Sequence, residues 1–268
     1  MTIEALIFDV DGTLADTEEA HRLAFNLAFE RHRLGWTWTR AEYRRLLSVT
    51  GGKERITSYI QSLPVSTALR QHLMARVPEI HADKTEFYSA AVRQGGVPLR
   101  DGVARLLEEA LAAGCRLAIA TTTTAVNVDA LLQSAFGTRG LEMFAVIACG
   151  DQVPAKKPAP DIYRLVLATL GMGADRAVAF EDSPNGLRAA VGAGLWTVVT
   201  PTFWTAGADF SAAGLVLPHL GDPQHPLPAE PGTALGMHAW LSLGELQQLA
   251  CPPRMPNAVD LLYEGRFA

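Results

Sequence analysis

The stretch IEALIFDVDGT at residues 3–13 decides the fold of this chain. Its apolar part, from Ile3 to Val10, shows no polar alternation across Leu6, Ile7 and Phe8. Strands that are buried on both faces, as in parallel sheets, have this character. We therefore predict a central strand here, with the residues that carry chemistry at its carboxyl end.

Two carboxylates stand at the exit of this strand. Asp9 and Asp11 would point to the same side if the strand continued, and Gly12 then allows a sharp turn. Burying two acids at a sheet edge costs free energy unless a cation or a reaction requires them. The alternative is a capped turn in which Asp11 bonds nearby amides. The pattern favours a functional pair.

Further apolar runs alternate with helical patterns along the chain. The predicted strands are Arg116 to Thr121, Phe144 to Ala148, Ala177 to Glu181 and Thr197 to Thr200. An apolar helix face between Val103 and Leu111 would end at Gly114. Pro158 and Pro160 suit the opening turn of another helix. This alternation predicts an α/β fold, a doubly wound parallel sheet that binds ligands beyond the carboxyl ends of its strands.

Residues 16–91 break the alternation, because helical spacing dominates there and no convincing strand is visible. The first helix would be capped by Asp16, with Glu19 three residues on. Its predicted buried face comprises Ala20, Leu23, Ala24 and Leu27. We predict a helical cap that is inserted after the first strand and lies over the strand ends as a lid.

The predicted domain organisation has four parts. Residues 1–15 and 92–250 form the core, residues 16–91 form the cap, and residues 251–268 form a C-terminal tail without assigned structure. Cap closure would use hinges near residues 15–17 and 89–92. Residues 218–232 hold five prolines and are interpreted as an irregular surface crossing.

Composition excludes several classes of protein. The chain has 268 residues, 49% hydrophobic and 19% charged side chains, and a formal net charge of −5. These values suit a folded protein with a sizeable core, and they argue against a binder of nucleic acid or anionic membranes. We expect no signal peptide and no membrane span, and the three scattered cysteines indicate a reducing, cytoplasmic location. The sequence leaves the oligomeric state open; we expect a monomer.

A second acidic pair, Glu181 and Asp182, ends another apolar run. Its structural alternative is an N-cap for the following helix, with Asp182 or Ser183 as the capping residue. If neighbouring strands bring this pair to Asp9 and Asp11, three or four carboxylates converge on one point. Few oxygen ligands with room for water favour Mg²⁺ over a full Ca²⁺ cage.

Two more strand ends offer partners for a phosphoryl group. Thr121 would place a hydroxyl and a backbone amide on a phosphoryl oxygen, although residues 122–124 could instead form a plain polar turn. Lys157 stands at a helix start, where a cation gains nothing from the helix dipole, so a bound anion explains it better. Spacing alone does not choose between Lys156 and Lys157.

These residues, taken in chain order, resemble the four motifs of the haloacid-dehalogenase (HAD) superfamily. The motifs are Asp9-Val-Asp11-Gly-Thr13, Thr121, Lys157-Pro158 and Glu181-Asp182. The resemblance extends to about Leu249 and implies a Rossmann-like core and a Mg²⁺-dependent aspartyl nucleophile.

The resemblance also implies a role for each motif residue. Asp9 would attack phosphorus, and Asp11 would act as general acid and then as general base. Thr121 and Lys157 would stabilise the charge on the phosphoryl oxygens. The implied Mg²⁺ ligands are Asp9, the backbone carbonyl of Asp11 and Asp182, with Glu181 nearby through water.

Residues of the cap resemble those of CbbY-type sugar bisphosphate phosphatases within this superfamily, as do the stretches 49–56, 156–163, 180–186 and 216–223. The implied substrate is xylulose 1,5-bisphosphate, an inhibitor of Rubisco. The substrate-binding residues that we predict are Glu18, His21, Tyr43, Gly52, Lys53, Arg55, Lys84 and Thr122. A bisphosphate needs a second cationic pocket, which Lys53, Arg55 and Lys84 would supply. The structural alternatives are a solvated helix face for Lys53 and Arg55, and cap core for Tyr43. For Glu18 the alternative is an acid that the helix dipole favours in the first turn, and for His21 it is a plain surface residue.

Other functions remain open at this point. A phosphosugar mutase of the β-phosphoglucomutase type shares the core and the cap, although Thr13 resembles the phosphatase form of the motif more closely. A less specific phosphatase, acting for instance on phosphoglycolate, is a second alternative. A catalytically silent binding module is disfavoured because Asp9, Asp11 and Asp182 are all present.

Overall fold

The computed structural model describes residues 2–228 and 239–250. Its strands form one six-stranded sheet in which every paired neighbour is parallel. The strands are β1 (Ala5–Phe8), β2 (Arg116–Ala120), β3 (Phe144–Ala148), β4 (Ala177–Glu181), β5 (Trp196–Val199) and β6 (Leu215–Val216). The spatial order β3-β2-β1-β4-β5-β6 reverses at β1, as in Rossmann-like sheets. The predicted fold class is confirmed.

Helices cover both faces of the sheet. Those before β2 are α1 (Glu18–Arg31), α2 (Arg40–Leu46), α3 (Gly52–Ser62), α4 (Thr67–Ala75), α5 (Val77–Arg93) and α6 (Val103–Ala112). Those after it are α7 (Ala125–Phe136), α8 (Arg139–Glu142), α9 (Asp161–Leu170), α10 (Pro184–Gly192) and α11 (Leu243–Ala250). Short 3₁₀ turns occur at Gly150–Gln152 and Ala174–Arg176.

The central strand β1 separates two apolar layers. Leu6 and Phe8 belong to the layer that includes buried residues of α6, α7 and α11. Ala5 and Ile7 belong to the opposite layer, which includes residues of α9 and α10. Because successive side chains of a strand point to opposite faces, an uninterrupted apolar run serves both layers. The carboxyl end of β1 therefore emerges from a core that is packed on both faces.

Helices α1–α5, which we call the cap segment, lie between β1 and β2 and contain no strand, as predicted. They share an apolar cluster that includes Phe25, Phe29, Trp38, Tyr43 and Ile56. The predicted boundary at residue 91 and the predicted hinge at residues 89–92 fall inside α5, which continues to Arg93. The helical character of the segment is thus confirmed, while its division from the core stays a prediction.

The predicted buried face of α1 is right for Ala24 and wrong for Leu23 and Leu27. Leu23 and Leu27 are 48% and 46% exposed, whereas Phe25 and Phe29 are fully buried. Aromatic rings bury more area than leucine side chains, so the helix turns its aromatic face to the cap cluster. Asp16 does not cap the helix either, since Thr17 occupies the N-cap position and no side-chain cap bond forms.

Strand ends also differ from the sequence predictions. β1 is shorter than the predicted Ile3–Val10, because the chain turns after Phe8 and the amides of Thr13 and Leu14 bond to the Val10 carbonyl. The two-residue strand β6 was not predicted. Residues 218–228 carry no helix or strand, as predicted. The rest of that segment, residues 229–232, and the predicted tail at 251–268 lie outside the described residues.

Candidate active site

The site lies at the carboxyl ends of β2, β1 and β4. These three strands are adjacent, so the residues that follow them meet at one edge of the sheet. Asp9 follows β1, Thr121 follows β2, and Glu181 and Asp182 stand at the end of β4. All four side chains are buried. Of the four carboxylates in the two predicted pairs, the structure therefore brings Asp9, Glu181 and Asp182 together, while Asp11 pairs with residues of the cap segment.

Lys157 is the buried cation of this cluster. Its Nζ donates to Asp9 Oδ1 at 2.7 Å, to Glu181 Oε1 at 2.6 Å and to the Ala120 carbonyl at 2.8 Å. Burial would lower the pKa of Lys157, but the charges of Asp9 and Glu181 outweigh it and raise the pKa. Lys156 instead pairs with Glu54 at 2.9 Å. The tertiary structure thus makes the choice between the two lysines that spacing left open.

The carboxylates outnumber this cation. Burial, together with the charges of Glu181 and Asp11, raises the pKa of Asp9 to about 7 against the opposing effect of Lys157. Burial and the charges of Asp9 and Glu181 likewise raise the pKa of Asp182 well above its ordinary value. A second positive charge at this point would relieve both carboxylates.

A divalent cation fits the donor set. Oxygens of Asp9, Glu181 and Asp182 all lie within 4.8 Å of one another. Glu181 Oε2 is buried without a hydrogen-bond partner. Ser183, rather than Asp182, caps α10 by accepting a hydrogen bond from the Gly186 amide at 3.1 Å. The Asp182 carboxylate is therefore not engaged as a helix cap, and this acidic cluster has the chemistry of a hard-cation site.

The side chain of Asp11 is hydrogen-bonded to Thr17 and to His21 of the cap segment. Its Oδ1 accepts from the Thr17 hydroxyl at 2.7 Å and lies 2.9 Å from His21 Nε2, while Lys84 Nζ lies 2.7 Å from His21 Nδ1. An ammonium can only donate, so His21 accepts at Nδ1 and donates from Nε2 to Asp11. Burial would raise the pKa of Asp11, but the interactions with His21 and Thr17 outweigh it and hold the pKa below its ordinary value.

Tyr43 joins two further predicted binding residues. Its hydroxyl donates to Glu18 Oε2 at 2.7 Å and accepts from Arg55 Nη1 at 3.1 Å. Arg55 also donates from Nε to the Leu46 carbonyl at 3.3 Å and is only 8% exposed. A buried guanidinium with two fixed hydrogen bonds is part of a built site, which speaks against the solvated helix face.

Core and cap segment enclose a cavity of about 450 Å³. The predicted site residues that line it are Asp9, Asp11, Glu18, His21, Gly52, Lys53, Arg55, Lys84, Thr122, Lys157 and Asp182. Tyr43, Thr121 and Glu181 do not line it; they are buried behind the wall. The structure therefore brings eleven of the fourteen predicted residues to one cavity and places the other three next to it.

One detail of the Thr121 prediction is wrong. Its backbone amide donates to the Ala148 carbonyl at 3.0 Å, so the amide is occupied by the sheet. Its hydroxyl oxygen accepts from the Thr123 amide at 3.3 Å and keeps its own proton to donate. A role for Thr121 on a phosphoryl group would rest on the hydroxyl alone.

Several cavity residues were missed by the sequence predictions. They include Arg44, His81, Asn127, Asn185 and the loop residues 204–208. His81 stands three residues before Lys84 on α5, so helical spacing could have placed both on one face. Asn185 Nδ2 donates to Thr50 Oγ1 at 2.8 Å across the cavity mouth. No local pattern marks Arg44 or the loop, because tertiary contacts alone bring them here.

A model of haloacid dehalogenase-like hydrolases matches residues 3–194. The chain belongs to the haloacid dehalogenase-like hydrolase family. This HAD-like hydrolase is 50% identical over 246 residues to protein CbbY, plasmid, of Cupriavidus necator, covering 91% of this chain and 96% of that protein.

Two solved structures of CbbY from Rhodobacter sphaeroides resemble this HAD-like hydrolase equally well. One is a complex with phosphate, and the other is a complex of a variant with xylulose 1,5-bisphosphate. Each has a TM-score of 0.75 and 48% identity, and each match covers 81% of this chain and 95% of that chain.

The family membership and the relatives identify this HAD-like hydrolase as a phosphoric monoester hydrolase. Among residues 2–228 and 239–250, none of the helices combines the length and the hydropathy that a membrane span requires.

Proposed function

We propose that the chain is a Mg²⁺-dependent sugar bisphosphate phosphatase that works through an aspartyl-phosphate intermediate. The substrate that we propose is xylulose 1,5-bisphosphate, so that the enzyme removes a Rubisco inhibitor. One observation carries the proposal: a single cavity joins the acidic cluster around Lys157 to a wall of cationic side chains from the cap segment. Residues 16–91 would act as the cap domain over that cavity.

Asp9 is the nucleophile. A carboxylate oxygen attacks phosphorus, the Asp9–phosphorus bond forms and the bond from phosphorus to the leaving oxygen breaks. Lys157 Nζ, 2.7 Å from Asp9 Oδ1, orients the carboxylate and faces the charge on the phosphoryl oxygens. The Thr121 hydroxyl supplies a second donor.

Asp11 transfers the protons. It protonates the leaving oxygen, and it then takes a proton from the water that attacks the aspartyl phosphate and releases inorganic phosphate. A nearby phosphate dianion favours the protonated form of Asp11, which offsets the lowering of its pKa by His21 and Thr17.

Asp9 and Asp182, with Glu181 close by, would hold the cation. Bound Mg²⁺ would offset the repulsion between an anionic nucleophile and an anionic phosphate. The unpartnered Glu181 Oε2 and the raised pKa of Asp182 support this assignment.

The cap segment supplies the second phosphate site. Arg55 and Lys84 are buried in the cavity wall, and Lys53 and His81 stand beside them. A Cβ on Gly52 would lie 2.4 Å from His81 Nε2, so only glycine fits between His81 and the start of α3. The CbbY structure with bound xylulose 1,5-bisphosphate supports a bisphosphate as the ligand of such a cavity.

Phosphate release tests the proposal. We expect Mg²⁺-dependent release from xylulose 1,5-bisphosphate at a kcat/KM at least about 100 times that for ribulose 1,5-bisphosphate or β-glucose 1-phosphate, with no sugar bisphosphate activator needed. Comparable slow rates on all three compounds would refute xylulose 1,5-bisphosphate as the specific substrate. Turnover without phosphate release would favour a mutase.

The variant Asp9→Asn tests the nucleophile. We expect it to lower phosphate release by about 10⁴-fold or more, because the amide cannot form the aspartyl phosphate. An unchanged far-UV circular dichroism spectrum is the control for folding. Release at more than a tenth of the wild-type rate would refute the assignment.

A further inference from the structure

A loop of the core enters the apolar cluster of the cap segment. The chain leaves β5 at Val199 and continues in a loop at residues 200–208, of which residues 204–208 line the cavity. Trp204 at its centre is only 5% exposed and belongs to the cluster of Phe25, Trp38 and Tyr43. Among the described residues of that cluster, Trp204 is the only one from outside the cap segment.

Two kinds of contact hold the loop against α2. The Trp204 ring meets the Tyr43 ring edge to face, with 5.5 Å between centroids and 88° between planes. Arg44 Nε donates to the Trp204 carbonyl at 3.1 Å, and Arg44 Nη2 donates to the Ala206 carbonyl. Within the loop, the Ala206 amide bonds to the Thr202 carbonyl at 2.9 Å. The loop is therefore joined to α2 by both an aromatic contact and hydrogen bonds.

Trp204 is linked through Tyr43 to two other predicted binding residues. Tyr43, on which its ring packs, is the residue that donates to Glu18 and accepts from Arg55. A change at Trp204 would let Tyr43 move and would release both side chains. The Lys157 ammonium donates to Asp9, to Glu181 and to the Ala120 carbonyl, so its hydrogen bonds run to strand ends and not to this loop.

The ion pairs between the two parts are weaker anchors than the Trp204 contact. Lys156 pairs with Glu54, and Lys53 with Asp151 at 3.8 Å, but three of these four side chains are between 44% and 61% exposed. Water and salt screen such pairs, whereas a buried aromatic contact is not screened. Asn185 also donates to the Ser48 carbonyl at 3.1 Å, just after α2. On α2 itself, the contacts to the core are those that Tyr43 and Arg44 make with the loop of Trp204.

We propose that Trp204 is a positioning residue for substrate specificity. It docks the core loop into the cap segment and thereby holds the cluster of Tyr43, Glu18 and Arg55 in place for the part of the substrate remote from the reacting phosphate. The inference rests on the proposed bisphosphatase function for its substrate.

The test compares Trp204→Ala, Trp204→Phe and Phe203→Ala. Phe203 lies in the same loop, is 61% exposed and stays outside the cap cluster. Its ring contacts Trp204 edge to face with 5.3 Å between centroids and lies 5.7 Å from Arg44, so Phe203→Ala controls for the loss of an aromatic ring that touches the loop anchors without entering the cluster. The readout is kcat/KM for xylulose 1,5-bisphosphate divided by kcat/KM for p-nitrophenyl phosphate, which is too short to need the cap wall. Trp204→Ala should lower this ratio by about tenfold or more, mainly through the KM of the bisphosphate.

Trp204→Phe, which keeps an aromatic ring, should keep the ratio within about threefold of wild type, and Phe203→Ala should leave it unchanged. Equal losses on both substrates in Trp204→Ala, or no loss, would overturn the proposal, since the first indicates a general folding defect.

Amide hydrogen exchange tests the docking role of Trp204 without any substrate, and so independently of the proposed function. In Trp204→Ala, amides of α2 should exchange faster than in Phe203→Ala, while amides of β1 and β4 stay unchanged. If the wild type does not hydrolyse xylulose 1,5-bisphosphate, the proposed function fails, yet this comparison still decides whether Trp204 holds α2. Unchanged exchange in α2 would overturn the docking role.

Discussion

At the scale of single residues, the site depends on side chains whose charge is set by burial and by one or two neighbours. Lys157 faces two carboxylates, which raise its pKa, whereas the pKa of Lys84 is lowered. Burial, with the charge of Arg55, lowers the pKa of Lys84 to about 8 although Asp11 opposes the shift. Both lysines are charged at pH 7, one in the core and one in the cap segment.

His81 provides a pH-dependent prediction. Burial, followed by the charges of Lys84, Lys53 and Lys156, lowers the pKa of His81 from 6.5 to about 3. Between these values the unfolded chain binds a proton that the folded chain does not, so stability rises with pH across the window. From pH 7 to pH 5 we expect His81 to remove about 2 kcal/mol from the free energy of unfolding.

Urea unfolding of wild type and His81→Gln at both pH values measures this contribution. The difference in unfolding free energy between the two proteins should change by about 2 kcal/mol, and the wild type should lose more on acidification. A buffer without phosphate or sulfate is required, because anions in the cavity would stabilise protonated His81. A pH-independent difference would contradict the prediction.

At the scale of elements, the turn after β1 decides the geometry of the cation site. Gly12 has a φ of +82°, and a Cβ there would lie 2.3 Å from Asp182 Oδ2. Gly114, between α6 and β2, has a similar φ of +75° with no atom within 4 Å of a Cβ. The two turns share backbone strain, but only the first faces a functional carboxylate.

Gly12→Ala and Gly114→Ala therefore form a matched pair. Each should lose about 1–2 kcal/mol of unfolding free energy from the left-handed backbone. Gly12→Ala should in addition lower kcat by about 100-fold, because Asp182 must move away from Asp9. Phosphate release and chemical unfolding measure both effects. Equal kcat values in the two variants would contradict the predicted steric clash between a Cβ at position 12 and the Asp182 carboxylate.

At the scale of the whole molecule, Arg100 ties together parts that are distant in sequence. Its guanidinium donates to the carbonyls of Gly12 and Thr200, to Pro201 at 3.1 Å and to Pro218 at 2.8 Å. These carbonyls follow β1, β5 and β6, so one side chain fixes the catalytic turn against two other strand ends. Only a planar fork with several donors can do this.

Arg100→Lys should lower kcat by about tenfold with little change in KM, because the turn that carries Asp11 loosens. Arg105 is the control, since it donates to the carbonyls of Gly221 at 3.1 Å and Leu241 at 2.7 Å, away from the turn. Arg105→Lys should lose similar stability, about 2 kcal/mol, and keep kcat. If both variants lose kcat equally, the effect of Arg100 is on stability alone.

The sequence by itself determined the fold class and the chemistry of the strand ends. An apolar run without alternation can be buried only between two layers, and carboxylates at its exit must meet those of the neighbouring parallel strand. The predictions for Asp9, Asp182 and the strands at residues 144–148 and 177–181 needed no more than this local pattern.

Tertiary structure alone decided which alternatives the molecule uses. The aromatic cluster turned Phe25 inward and left Leu23 exposed, and the carboxylates of Asp9 and Glu181 selected Lys157 over Lys156. Contacts between residues far apart in the chain, such as Trp204 on Tyr43, leave no periodic trace. Local patterns report which face of an element is apolar, whereas the partner that covers this face is set by packing and charge across the whole fold.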